Sequence, residues 1–237
     1  MIHLNKEQLE AVRHQDGPML VLAGPGSGKT AVLTEHIRYL TDETKTEAHK
    51  ILALTFSRKA ALQMQRRLQS DLPVCFGTFH SVSYNVLRRY KSEAIKLISE
   101  REKFNILYDI GRKLSGYDAI DGAWVLSRLD EIGAFKNTGK LPDHYDEEEE
   151  RDFLAVASEY KRRMRSAGLI DFEDMILDCV ELLQTHPKIL LKLQHSFSHI
   201  LVDEFQDCND PQYELLLLLS AGHRNLFCVG DIAAKPA

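Results

Sequence analysis

Residues 19–23 form a short apolar run that leads without a break into Gly24-Pro25-Gly26-Ser27-Gly28-Lys29-Thr30, and an amphipathic pattern begins at once with Ala31, Val32 and Leu33. A strand that turns through glycines into a helix of this kind is a P-loop, and few folds other than a parallel α/β sheet can present one. The glycines let consecutive backbone N–H groups converge on one concavity, to which the helix N-terminus adds partial positive charge. Lys29 then reaches the β and γ phosphates of a nucleotide, and Thr30 can ligate magnesium. Ala23 stands where the strict pattern has glycine.

Four further apolar runs, at 51–56, 74–79, 200–203 and 226–230, read as buried strands, with helical patterns at 29–40 and 58–68 between the early ones. Strand-helix alternation requires right-handed crossovers and a parallel sheet. From about residue 90 to about 196 the periodicity is helical with almost no strand signal, so an all-helical subdomain is inserted into the sheet. Within it, residues 133–142 read as a loop, and the acidic run 146–152 opens a helix that ends in the basic run 161–165, both complementing the helix dipole. The fold class is therefore α/β, a P-loop parallel sheet domain (1–90 and 191–237) carrying a helical insertion (91–190).

A P-loop alone indicates only that a nucleoside triphosphate binds. The run 199–202 ends in Asp203 and Glu204, followed by Gln206 and Asp207. Open α/β sheets keep their ligands at the carboxyl ends of strands. Asp203 is placed there to hold magnesium, and Glu204 to take a proton from the water that attacks the γ phosphate. Lys29, Asp203, Glu204 and Gln206 are the candidate catalytic residues.

Together, AGPGSGKT at 23–30 and VDEFQD at 202–207 resemble motifs I and II of UvrD/Rep/PcrA-type superfamily 1 DNA helicases, which have a RecA-like motor domain. The resemblance extends over most of the chain. Leu4-Asn5-Lys6-Glu7-Gln8 is similar to the segment whose glutamine, here Gln8, recognises adenine, which implies ATP and Mg2+ as cofactors. The stretch LTFSRKAA at 54–61 resembles motif Ia and GTFHS at 77–81 motif Ib. Both line the single-strand DNA track in that family, which implies DNA contacts at Thr55, Phe56, Arg58, Phe79 and His80. Hydroxyls and cations suit phosphates and an exposed ring suits a base, with Phe79 and His80 ranked above Phe56 as contact groups. AFKN at 134–137 and LIDFEDM at 169–175 match signatures of the subdomain termed 1B, the sheet domain being 1A.

Three departures bear on activity. Ala31 stands where the family commonly has an arginine near the adenine, and Arg58 where it has asparagine. Motif III begins as Val229-Gly230-Asp231, but residues 232–237 do not continue it. The resemblance thus implies that the second motor domain, 2A with 2B and its arginine fingers, is missing from this chain. The expectation is an ATP-binding lobe of a 3′ to 5′ helicase, acting on single-stranded DNA and duplex junctions, that turns over little and unwinds nothing by itself. The alternative is a non-catalytic nucleotide- or DNA-docking module. A P-loop kinase or GTPase is the third reading, and no guanine-specific N-K-x-D loop supports it.

Composition narrows the rest. A net charge of -5 gives no global attraction to nucleic acid, so DNA contact must come from a local groove. No run approaches a membrane span. The start Met1-Ile2-His3-Leu4 carries no signal core. Cys75, Cys179, Cys208 and Cys228 lie too scattered for a zinc site or a disulfide framework, so no structural metal is expected and a reducing cytoplasm is the simplest location.

Overall fold

The computed structural model of the protein describes residues 4–68, 71–91, 95–114 and 120–231, so the Met1-Ile2-His3 start and the 232–237 tail lie outside the described residues. Chain contacts separate two compact units, Met1–Ser83 with Val180–Ala237, and Tyr84–Cys179.

In the first unit the order begins with α1 (Lys6–Val12), β1 (Met19–Leu22), α2 (Lys29–Asp42), β2 (Ile51–Thr55), α3 (Arg58–Leu68), β3 (Cys75–Thr78) and α4 (Phe79–Tyr90), whose second half passes into the other unit. The second unit continues with β4 (Lys96–Leu97), α5 (Glu100–Leu114), α6 (Gly122–Thr138), α7 (Glu147–Ser166), β5 (Leu169–Ile170) and the first part of α8 (Phe172–Thr185), whose residues from Val180 on belong to the first unit. The chain completes the first unit with α9 (Pro187–Ser196), β6 (His199–Val202), α10 (Asp210–Ser220) and β7 (Leu226–Gly230).

The sheet has the order β1-β7-β6-β2-β3 and is parallel throughout. Its interior strand β2 is buried along its whole length, as expected of an unbroken apolar run in a sheet with both faces covered. Edge strand β1 instead alternates, with Leu20 and Leu22 turned outward and Met19 and Val21 packed on the core. That core joins Val32, Leu33, Ile37 and Leu40 of α2 to Ile51, Ala53, Leu201, Phe227 and Val229 of the sheet. The helix supplies an apolar stripe at three- and four-residue spacing, and the strands supply alternate residues.

The helical unit has a core of its own, built on Leu107 and Ile110 of α5, Val125 and Ile132 of α6, and Phe153, Val156 and Tyr160 of α7. Two expectations need correction here. Residues 133–138, read as the start of a loop, continue α6, and the chain leaves the helix only at Gly139, which is left-handed at φ 65°. Glycine inside a helix costs about 1 kcal/mol. Burial of Ile132 and an edge-on contact of Phe135 with Phe153, ring centroids 5.5 Å apart, outweigh that cost. The insertion is also not wholly helical, since β4 and β5 pair in parallel, Lys96 opposite Leu169 and Leu97 opposite Ile170. Strands of two residues carry no periodic signal.

α7 begins as its charge pattern suggests. Asp146 accepts hydrogen bonds from the backbone N–H groups of Glu148 and Glu149, while Glu149 accepts one from the N–H of Asp146.

His36 of α2 is buried against Phe227, ring centroids 4.1 Å apart, and its Nδ1–H donates to the Val12 carbonyl at 2.9 Å. Burial holds its imidazolium down to about 4, against the pull of the Val12 carbonyl and with His199 and His14 adding to the effect. The unfolded chain takes up this proton near pH 6.5 and the folded chain only near 4, so acid favours unfolding. The stability contributed by neutral His36 is complete above about 6.5 and is lost as the pH falls toward 4, a change of about 3 kcal/mol. Urea titrations of the wild type and His36→Asn at pH 7.5 and 4.5 should show the wild type losing more stability between the two pH values. Parallel losses would show that His36 is not the group responsible.

Candidate functional site

The parallel sheet brings the carboxyl ends of β1, β6 and β7 to one edge, where a cavity of about 400 Å³ opens. Its wall includes Pro25, Gly26, Gly28, Lys29, Thr30, Ala31, Arg67, Glu204 and Asp231. At its base the loop after β1 turns through Gly28, the residue before α2, at φ 86° and ψ 22°. That conformation disfavours any residue with a Cβ. A Cβ there would also come within 3.3 Å of Gln8 Nε2.

Gln8 is not part of this wall but is hydrogen-bonded to the loop that forms it. Its Nε2 donates to the Ser27 carbonyl at 2.8 Å, and its Oε1 accepts from the backbone N–H of Asn5, also at 2.8 Å. Asn5 in turn caps α1 by accepting from the N–H of Gln8. One amide thus fastens the first helix to the P-loop.

Lys29 Nζ donates to the carbonyls of Ala23 at 3.2 Å and Gly24 at 3.3 Å, and forms an ion pair with Asp231 Oδ2 at 3.1 Å. Asp231 was not singled out as a site residue from the sequence. The signal was there: a carboxylate directly after an apolar strand, the same argument that singles out Asp203. Arg67, at the end of α3, is the second addition, and nothing in its sequence surroundings marks it.

Asp203 is 5% exposed and its Oδ2 accepts from Thr30 Oγ1 at 3.4 Å. Burial pushes its carboxyl above the usual carboxylate range and the adjacent Glu204 adds to this, while the Glu204 N–H, Thr30 and Lys29 oppose it. The Thr30 hydroxyl and the Asp203 carboxylate are hard oxygen donors side by side, a pair suited to Mg2+.

Glu204 lies in the left-handed region, φ 55° and ψ 44°, an uncommon and strained conformation for a residue with a side chain. The reversal it produces turns the following 3₁₀ turn, Phe205–Asp207, back against β7. Gln206 then bridges the site: its Nε2 donates to Glu204 Oε2 at 2.9 Å and its Oε1 accepts from the Asp231 N–H at 2.8 Å. Gly230 is required at this crossing, since a Cβ on it would lie 3.1 Å from Gln206 Oε1.

The residues matched to motifs Ia and Ib are distributed differently from the expectation. Thr55 is buried and its hydroxyl donates to the Ser57 carbonyl at 2.9 Å. Phe79, ranked as the better stacking face, is 1% exposed and leaves no face for a base. Phe56 is half-buried, tilted against Phe79 with ring centroids 5.8 Å apart, so the order of the two rings is reversed. Arg58 is exposed and His80 half-buried. At the start of α4, Ser81 Oγ accepts from the Thr78 N–H at 2.9 Å and Thr78 Oγ1 from the Ser81 N–H at 3.2 Å, so these motif hydroxyls act first as a helix cap.

A parallel sheet with a P-loop after its first strand and paired acids after β6, one strand removed from it, defines a RecA-like P-loop domain. The family model described as the UvrD/REP helicase N-terminal domain matches residues 4–233, and the chain belongs to that family. It is 37% identical over 246 aligned residues to the protein named ATP-dependent DNA helicase PcrA of Staphylococcus aureus, covering 97% of this chain and 33% of that protein. The same figures hold for the protein of that name from Staphylococcus epidermidis. The chain thus spans about a third of the length of these relatives.

Because Asp203 protonates more readily folded than unfolded, the stability it lends is greatest below the unfolded value near 3.8 and declines as the pH rises through its higher folded value. Asp203→Asn should therefore melt above the wild type at pH 7, with the difference shrinking toward pH 4. A lower midpoint at pH 7 would mean that the ionised carboxylate is net stabilising.

Proposed function

We propose that this chain is the ATP-binding and hydrolysing lobe of an ATP-dependent DNA helicase, in which the first unit corresponds to subdomain 1A and the second to 1B. The observation that carries this reading is the convergence of Lys29, Thr30, Asp203, Glu204 and Gln206 on one strand edge. The triphosphate enters the concavity before α2, where its oxygens compete with Asp231 for Lys29. Thr30 and Asp203 would hold Mg2+, which would neutralise phosphate charge when bound. Glu204, steadied by Gln206, orients the attacking water and accepts its proton. Gln8 is the candidate for reading the adenine edge.

The single strand passes over the ends of β2 and β3, where Arg58, Phe56 and His80 are accessible enough to meet phosphates and bases. Whole-protein activity is placed in a longer polypeptide, as the relatives' length suggests. An arginine finger from a second lobe is worth about 10³- to 10⁵-fold in related phosphoryl transfer, so this lobe alone turns over slowly. Polarity is proposed as 3′ to 5′ by family likeness.

ATP hydrolysis measured with and without single-stranded DNA, on the wild type and Glu204→Gln, tests the reading. Slow turnover that needs Mg2+, is stimulated by DNA and falls about a hundredfold or more in the variant is expected, with nucleotide binding retained. Lys29→Ala should lose binding itself. Turnover unchanged in Glu204→Gln would remove Glu204 as the base, and absence of any magnesium-nucleotide binding would leave a docking module.

A further inference from the structure

Among the described residues two cations stand in the wall of the cavity at the P-loop, Lys29 and Arg67. Lys29 is paired with Asp231 at 3.1 Å, whereas no described carboxylate forms an ion pair with the Arg67 guanidinium. Arg67 is exposed, so its charge is open to whatever enters the cavity. The hydrolytic chemistry derived above makes no use of it.

The main chain that carries this side chain is held in place. Arg38 of α2 donates from Nη2 to the carbonyls of Arg67 at 2.9 Å and Leu68 at 3.0 Å, and is itself ion-paired with Glu35. The last carbonyls of a helix have no partner within it, so these bonds satisfy the end of α3 and fasten it to the flank of α2. Met64 and Leu68 secure the same turn by packing into the core beneath. Arg38 follows Ala31 by seven residues, which places both on one face of α2. Ala31 contributes only a methyl group to the cavity wall, so the flank between the start of α2 and Arg67 is left open to a ligand.

In a P-loop the lysine serves the β and γ phosphates and the threonine the metal, so the phosphate next to the ribose meets backbone amides but no side-chain cation. We infer that Arg67 supplies that cation, its guanidinium binding the α phosphate of the nucleotide. A planar fork of donors suits two oxygens of one phosphate, and no carboxylate has to be displaced first. The inference rests on the reading of this cavity as a nucleoside triphosphate site, and it adds a residue from outside both the P-loop and the paired acids. Because the α phosphate is common to ATP and ADP, Arg67 holds substrate and product alike.

Calorimetric titration with Mg-ATP and with Mg-ADP, at low and at high salt, on the wild type, Arg67→Ala, Arg66→Ala and Lys29→Ala tests it. Arg67→Ala should weaken both nucleotides by the same factor, about tenfold or more, as the loss of a charge-assisted hydrogen bond requires, and the factor should shrink as salt rises. Arg66→Ala, whose side chain lines a different cavity with Lys59, Leu62 and Gln63, should bind as the wild type does. Without nucleotide, Arg67→Ala should melt with the wild type, since an exposed side chain without an ion pair is removed. Wild-type affinity in Arg67→Ala, while Lys29→Ala loses binding, would overturn the inference and leave the nucleotide reading standing. Absence of binding by the wild type would overturn both. A loss confined to ATP, a loss indifferent to salt, or a loss matched by a lower melting point would assign Arg67 to the γ phosphate, the base or the fold, and each overturns the inference.

Discussion

Parallel backbone pairing across β1, β7, β6 and β2 is the constraint on which the rest of the site depends. Leu22 lies opposite Gly230 and Leu54 opposite Val202, so strands far apart in sequence end at one level. Because every strand runs the same way, each carboxyl end delivers its next residue to one edge. Lys29, Asp203 and Asp231 become neighbours through that register, with no local sequence relation between them. A single-residue slip of β7 would move Asp231 away from Lys29 and turn the strand's buried side chains to the opposite face.

The same edge concentrates unfavourable terms. Asp203 is a largely buried carboxylate beside another acid, and Glu204 holds a left-handed backbone. Both cost stability, and the apolar contacts of α2 with the sheet offset them. Lys29 avoids isolation by pairing with Asp231 and two loop carbonyls, so the cation is organised before any phosphate arrives. Such preorganisation lowers the cost of ordering on binding but requires the phosphates to displace an existing partner.

How legible this was in the sequence depended on whether a signal was local. The strand entering the glycine loop, the five apolar runs and the acids after residue 202 are contiguous patterns whose physics is local, and the sheet follows from them. Position 133 shows the limit: a glycine and polar neighbours suggest a loop, yet Ile132 and Phe135 hold the helix through contacts with residues distant in sequence. Phe79 shows another. A motif identifies the residue, but whether its ring faces inward is settled by packing, here against Phe56 at the start of α4. Asp231 was readable by the strand-end argument, whereas Arg67 reaches the cavity only because α3 folds beside the P-loop. The two-residue strands β4 and β5 are too short for any periodicity to register.

The double duty of Gln8 has a consequence for communication along the chain. Its amide closes the cap of α1 and at the same time tethers the Ser27 carbonyl. Removing this amide would open one half of the α1 cap and release the Ser27 carbonyl together, and a lost helix cap is worth about 1 kcal/mol. In a helix as short as Lys6–Val12, that is enough to shift the balance between wound and frayed at its first turn. The N-terminal helix and the P-loop thereby share one amide, so the winding of the first turn of α1 and the position of the Ser27 carbonyl are held by the same side chain.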